Sequence, residues 1–331
     1  MKKQITAFMA LIGATALSLS ACGNVENGTA SDSAAADNTI VASFYPLAYL
    51  AEQISGETAE VINLTPSGEA HDTELSAADI DTMANADAVI YLSGFQPAID
   101  EAVETTKPAQ LLDVADSVAL VASSEHESEL SHEHEHDHEA EHDHEHEHDH
   151  AGEHDHDHGA FDPHFWLDPQ RMRGAIAPTV ELLTRVFPQH ADTYKANGQR
   201  LDEKLVKLDE NYDKKLTSCS TPTVVVAHEA YGYLAERFGF TQIGVSGIDP
   251  EQETSAQRLE QVAKVAKEAQ VKVLFSESAL SAKDTKTLAE TLGIKTEVLD
   301  PLEIQADPEQ DYIAVMQSNL EKLTSAMSCP Q

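Results

Sequence analysis

Residues 188–218 read PQHADTYKANGQRLDEKLVKLDENYDKKLTS, and two similar sets of strand and helix signals lie on either side of them. Within this stretch Tyr194, Leu201, Leu205, Leu208, Tyr212 and Leu216 recur at helical intervals. A helix over these residues would span about 45 Å at 1.5 Å per residue, enough for a stiff strut between two bodies. Gly198 argues modestly against an unbroken helix. Upstream, TIVASF (39–44), AEVINLT (59–65), ADAVIYLS (86–93) and AQLLDVA (109–115) are short apolar runs of strand type. Helical segments separate them, one ending at Gly56 and one over 76–86 with Ser76 as N-cap. Downstream, TVVVAHE (223–229), FTQIGVSGI (240–248), VKVLFSES (271–278) and IKTEVLD (294–300) repeat the style. Helices over 231–239, 255–270, 283–292 and about 308–327 alternate with them. The expected fold is α/β with two lobes, each a mainly parallel sheet flanked by helices, joined by a long rigid helix. The first lobe covers 39–187 and the second 219–331.

Composition narrows the partners. The 331 residues carry 21 Lys+Arg against 58 Asp+Glu, a formal charge of −37, with 41% hydrophobic residues. That apolar share supports a packed core. The acidic balance excludes a nucleic-acid partner, whose phosphates require Lys and Arg, and suits a protein that handles cations.

The first 21 residues read as an export signal. Lys2 and Lys3 precede an apolar stretch from Ile5 to Leu19, shorter than the ~20 residues of a membrane span. Leu19-Ser20-Ala21-Cys22 resembles the cleavage box of bacterial lipoproteins, which implies lipid attachment at Cys22 and an extracytoplasmic protein anchored to the cell membrane. Residues 22–38 are small and polar, a flexible tether. Cys219 and Cys329 are left in a disulfide-permissive compartment, so one bridge is expected rather than two free thiols.

Thirteen of the 17 histidines and 15 acids crowd into residues 125–158, where only Leu130, Ala140 and Ala151 are apolar. Such a segment cannot offset the entropy of ordering and is expected as a disordered insertion. Alternating imidazoles and carboxylates make it an array of weak Zn²⁺-type ligands. The other four histidines are His71, His164, His190 and His228. His71, His164 and His228 fall where strands end or loops begin, the positions at which α/β folds build sites. His190, beside Pro188, reads as a surface residue.

Four motifs carry a family resemblance: PSGEAHDTEL (66–75), DPHFWLDP (162–169), HEAYGY (228–233) and LDP (299–301). Together with the lipoprotein signal and the His-rich insertion, they make the chain resemble the metal-binding lipoproteins of ABC importers, zinc-selective type, over roughly 39–327. The resemblance implies metal held in a cleft between two lobes and delivered to a membrane permease by a monomeric, non-enzymatic protein. It assigns ligand roles to His71, His164 and His228, with Asp300 matching the fourth position. Asp300 can equally be a turn residue before Pro301, leaving that position to water. Three imidazoles and one oxygen suit tetrahedral Zn²⁺, and a histidine at 228, where manganese members have a carboxylate, favours zinc over manganese.

Around these ligands, Asp162 and Asp168 are placed to accept a ring N–H. Trp166 is expected as a core anchor, Tyr231 and Tyr233 as packing behind His228, and Glu69 as a solvated acid near the ion. A zinc buffer or adhesin without transport, and a Mn²⁺ importer, are the competing readings. A zinc hydrolase is disfavoured by the absence of HExxH, of GxSxG and of any placed general base.

Overall fold

The computed structural model describes residues 38–126, 161–252, 254–277 and 283–330. The leader, Cys22, residues 22–37 of the tether and all but the first two residues of the 125–158 insertion lie outside the described residues. The first sheet contains β1 (Thr39–Ala42), β2 (Glu60–Asn63), β3 (Ala88–Tyr91) and β4 (Leu111–Asp113). The second contains β5 (Thr223–Val226), β6 (Thr241–Gly244), β7 (Val273–Ser276) and β8 (Lys295–Val298). Their orders are β2-β1-β3-β4 and β6-β5-β7-β8, with every pairing parallel. In each sheet the winding reverses between the first strand and the third. That reversal opens a crevice at the carboxyl ends of the strands, where α/β sheets bind ligands.

Alternation along the strands sets the layers. Ile40 and Ala42 of β1, and Val224 and Val226 of β5, face one shared apolar core. The residues between them, Val41 and Val225, face separate outer clusters. Successive strand side chains point to opposite faces, so both sheets are covered on both sides. The outer cluster of the first sheet takes Met83 from the helix Ala77–Asn85 and Ile99 and Val103 from the helix Pro97–Thr106. That of the second takes Val262 and Leu288 from the helices Ala256–Glu268 and Lys283–Leu292. Edge strand β8 shows Lys295, Thr296 and Glu297 to solvent, which discourages pairing with another chain.

The connecting helix runs unbroken over Ala191–Leu216, about 39 Å at 1.5 Å per residue. The six apolar positions read from the sequence are all buried. Gly198 does not weaken the helix; it makes room. A Cβ there would meet Val180 Cγ2 at 2.8 Å and Ile176 Cγ2 at 3.3 Å, both on the helix Ile176–Val186. At its start the helix grips the first lobe, with Asn197 Nδ2 donating to Ile54 O (2.8 Å). Near its end Tyr212 donates to Met316 O (2.7 Å) on the final helix Tyr312–Ala326. Side chains of both sheets and of this helix belong to one continuous core. The lobes are therefore welded along the strut. Cys219 and Cys329 are joined in a disulfide that ties the end of the strut to the end of the last helix.

Candidate metal centre

Three loops at the carboxyl ends of the strands, and the segment that resumes at Phe161, converge between the sheets. His71 lies on the loop after β2. Buried Gln96 stabilises that loop: its Nε2 is 3.0 Å from Ala70 O, 3.0 Å from Thr65 Oγ1 and 3.1 Å from Thr73 Oγ1. Phe95 meets the His71 ring edge-on, with centroids 4.8 Å apart. His164 opens the 3₁₀ turn Phe165–Leu167. Oδ1 of Asp162 accepts both its backbone N–H (2.9 Å) and its Nδ1–H (2.8 Å). His228 stands two residues past β5, and its Nδ1 bonds to Oε1 of Glu277, the residue directly after β7.

The fourth member is Glu303, not Asp300. Oδ1 of Asp300 accepts the N–H of Leu302 (2.8 Å). Asn319 clamps the backbone of Asp300, accepting its N–H (3.1 Å) and donating to its carbonyl (2.7 Å). Asp300 is thus spent on shaping the turn after β8, and Leu302 takes a left-handed φ of 60°. The turn delivers Glu303 to the site, buried at 6% exposure.

The four donors cluster tightly. His164 Nε2 is 3.3 Å from His71 Nε2 and 3.1 Å from His228 Nε2. Glu303 Oε1 is 3.5 Å from His71 Nε2, 3.5 Å from His164 Nε2 and 3.3 Å from His228 Nε2. Among the described residues these four make a group whose ligand atoms all lie within 4.8 Å of one another. Four ligands placed about 2.0–2.1 Å from a tetrahedral ion stand roughly 3.3–3.4 Å apart, and the five separations above match that spacing. Glu303 Oε1 is buried and makes no well-directed hydrogen bond. With Nδ1 of His164 and His228 committed to acids, both Nε2 atoms aim at the same point as that oxygen. Only a positive species stabilises such a convergence.

The protonation pattern agrees. Burial pulls His71 below the ordinary histidine value. Burial would also lower His228, but Glu277 and then Glu303 outweigh it and raise the ring to about 10. His164 is raised in the same way: the facing carboxylates of Asp162 and Glu303 overcome burial. Burial would raise Glu303, yet the three imidazoles hold it well below the usual carboxylate range. Carboxylates thus favour positive charge on His164 and His228, at the place where a cation would lie.

The family model of the zinc-uptake complex component A, periplasmic, ZnuA, matches residues 40–326. The chain belongs to this family. Its members are solute-binding transport components, not enzymes. The zinc-binding protein AdcA of Streptococcus pyogenes serotype M1 is 33% identical over 86% of this chain and 55% of its own length. This chain thus spans about half the length of the AdcA relatives it matches. The high-affinity zinc uptake system protein ZnuA of Bacillus subtilis is 33% identical over 96% of both chains. Among solved structures, a Zn(II)-bound mutant variant of AdcAII from Streptococcus pneumoniae superimposes with a TM-score of 0.72 at 27% identity. That match covers 88% of this chain and 98% of the other.

The remaining residues singled out in the sequence take defined places. Asp162 holds His164, whereas Asp168 caps the helix Pro169–Gly174 through Gln170 N (2.9 Å) and faces Arg171 and Arg237. Trp166 is fully buried, 5.2 Å from the His164 ring by centroids, and donates to Pro301 O (2.7 Å). Tyr231 donates to Leu299 O (2.9 Å) and Tyr233 to Asp162 O (2.6 Å). Glu69 is exposed on the His71 loop and is not one of the four. His190 is half-buried beside Tyr194, far along the chain from the cluster. Sequence reading missed Glu303 and Glu277. The available signal for Glu277 was an acid directly at the carboxyl end of the apolar strand VLFS, beside the sheet's reversal point.

Proposed function

We propose that the protein captures Zn²⁺ outside the cytoplasm and passes it to the membrane permease of an ABC importer, working as a monomer tethered by a lipid on Cys22. The ion is held by Nε2 of His71, His164 and His228 and by the Glu303 carboxylate. The observation that carries this reading is the convergence of three imidazole nitrogens on a buried, unsatisfied carboxylate oxygen. Three nitrogens and one oxygen suit zinc better than an all-oxygen ion such as Mg²⁺ or Ca²⁺. The zinc-binding names of AdcA and ZnuA relatives point the same way. Asp162 and Glu277 fix the tautomers of two ligands and keep their lone pairs aimed at the ion.

Competition between Zn²⁺ and Mn²⁺ for the purified protein, read by chelator displacement and metal content, tests the reading. One tight Zn²⁺ that resists Mn²⁺ is expected, retained when residues 125–158 are deleted. Preference for Mn²⁺, or loss of the tight site with the deletion, would overturn it. Zinc-limited growth of a strain lacking the protein separates import from buffering.

A further inference from the structure

We infer that Tyr233 of the second lobe is a positioning residue for the metal site, holding the first lobe's His164 in place through Asp162. Tyr233 lies five residues past His228, on the helix Gly232–Phe238, and is 1% exposed. Its hydroxyl crosses to the first lobe, donating to Asp162 O (2.6 Å) and accepting the N–H of Val121 (3.0 Å). Val121 O in turn accepts the N–H of Asp162 (3.0 Å), so a phenol, two peptides and a carboxylate form one closed set. The carboxylate end of that set holds His164 at both its backbone N–H and its Nδ1. The guanidinium of Arg171 lies 4.2 Å over the Tyr233 ring and fixes its plane.

The arrangement couples the lobes at the level of a single imidazole. Residues 228–233 place a ligand, His228, and reach into the surroundings of two others. Tyr231 bonds Leu299 O ahead of the turn that carries Glu303, and Tyr233 bonds the residue that orients His164. The Tyr233–Asp162 contact is shielded from water, because the phenol and Asp162 are both sealed in the core. Removing the hydroxyl leaves Asp162 O and Val121 N without this partner and frees the carboxylate to drift, loosening the His164 ring. Groups that orient a metal ligand typically change affinity by about 10–100-fold when removed.

The inference rests on the metal-binding reading above, and the test separates the two. Full-length protein and Tyr233→Phe, which keeps the ring over Arg171, are titrated with Zn²⁺ under chelator competition. The same pair, loaded with one equivalent of Co²⁺, is compared by visible absorption. The expected result is an affinity loss of about tenfold in Tyr233→Phe with an altered Co²⁺ band and an unchanged far-ultraviolet circular dichroism of the apo protein. In a double-mutant cycle the loss should be largely absent in an Asp162→Asn background and fully present in a Glu277→Gln background. A purely structural role would give the same loss in both backgrounds, and that result would overturn the inference. So would binding by Tyr233→Phe within about twofold of the parent, the limit of additivity between independent sites. A parent that takes up no metal would instead remove the function on which the inference stands.

Discussion

On the first lobe, His71 rides a loop whose tip residues 66–69 are exposed, held from below by an amide and from the side by an aromatic edge. On the second lobe, His228 is 1% exposed, sits two residues past a buried strand and has an acid on its Nδ1. The two rings meet with centroids 5.7 Å apart, yet burial leaves one readily neutral while carboxylates keep the other charged. His164 resembles His228 in this respect, although it belongs to the first lobe. The contrast separates a ligand on a deformable support from two that are fixed in orientation before any ion arrives. Preorganised donors lose little freedom on binding, so they should account for most of the affinity.

The largest effects follow from removing the donors themselves. His164→Ala and His228→Ala should each weaken Zn²⁺ binding by more than about a hundredfold, beyond the range seen for outer partners. His71→Ala should fall short of them, and Glu303→Ala should far exceed Asp300→Ala, whose side chain only shapes a turn. Chelator competition on the four variants ranks them. Equal losses at His71 and His228 would erase the contrast between the two supports.

A smaller effect is expected from the acids behind the rings, and it carries a pH signature. In the metal-free protein His228 is raised to about 10, so its proton is present near pH 7.5 and must leave when Zn²⁺ binds. The sign follows from linkage. A raised folded-state value stabilises the apo protein below the unfolded histidine value of about 6.5, and that stabilisation fades as pH climbs toward 10. Zinc affinity should therefore rise with pH across this window. Calorimetry in buffers of different ionisation heat should count at least one proton released near neutrality. Glu277→Gln should lower that count and cost about 10–100-fold in affinity. An unchanged proton count would place the titrating proton elsewhere.

The alternation that builds both sheets was legible because most strands are short apolar runs between helical segments, and all eight fall within the runs read from sequence. The helices Pro97–Thr106 and Ile176–Val186 were not. The first buries only Ile99, Ala102 and Val103, and the second, although Ile176, Leu182 and Leu183 recur at helical spacing, carries Pro178 near its start. Three of the four clustered donors were legible because each histidine sits in a distinctive motif. Glu303 was not, since choosing it over Asp300 requires knowing that the chain turns at Leu302. A peptide bond to one acid and three residues of turn to the other are indistinguishable in a string of letters.

The smallest expected effect on metal binding lies in the strut. Gly198→Ala drives a methyl into Val180 and Ile176 and should destabilise the fold by about 1–3 kcal/mol, seen as a lower midpoint in urea. Zinc affinity of the folded protein should not move, because the donors sit on strand-end loops and not on this helix. A parallel loss of affinity would show that the strut's packing reaches the site.

Trp166 gives the welded core a mechanical meaning. It comes from the first lobe, donates its indole N–H to Pro301 of the second, and takes at its own carbonyl the hydroxyl of Tyr312, which stacks on Tyr49. Drawing the sheets apart as rigid plates would strip both bonds inside an apolar interior, at about 1–3 kcal/mol for each group left unpaired, and would expose the indole as well. Bending at the tip of the His71 loop strips neither. The softest direction in which the cage can deform therefore points through one side of one lobe, along the His71 loop.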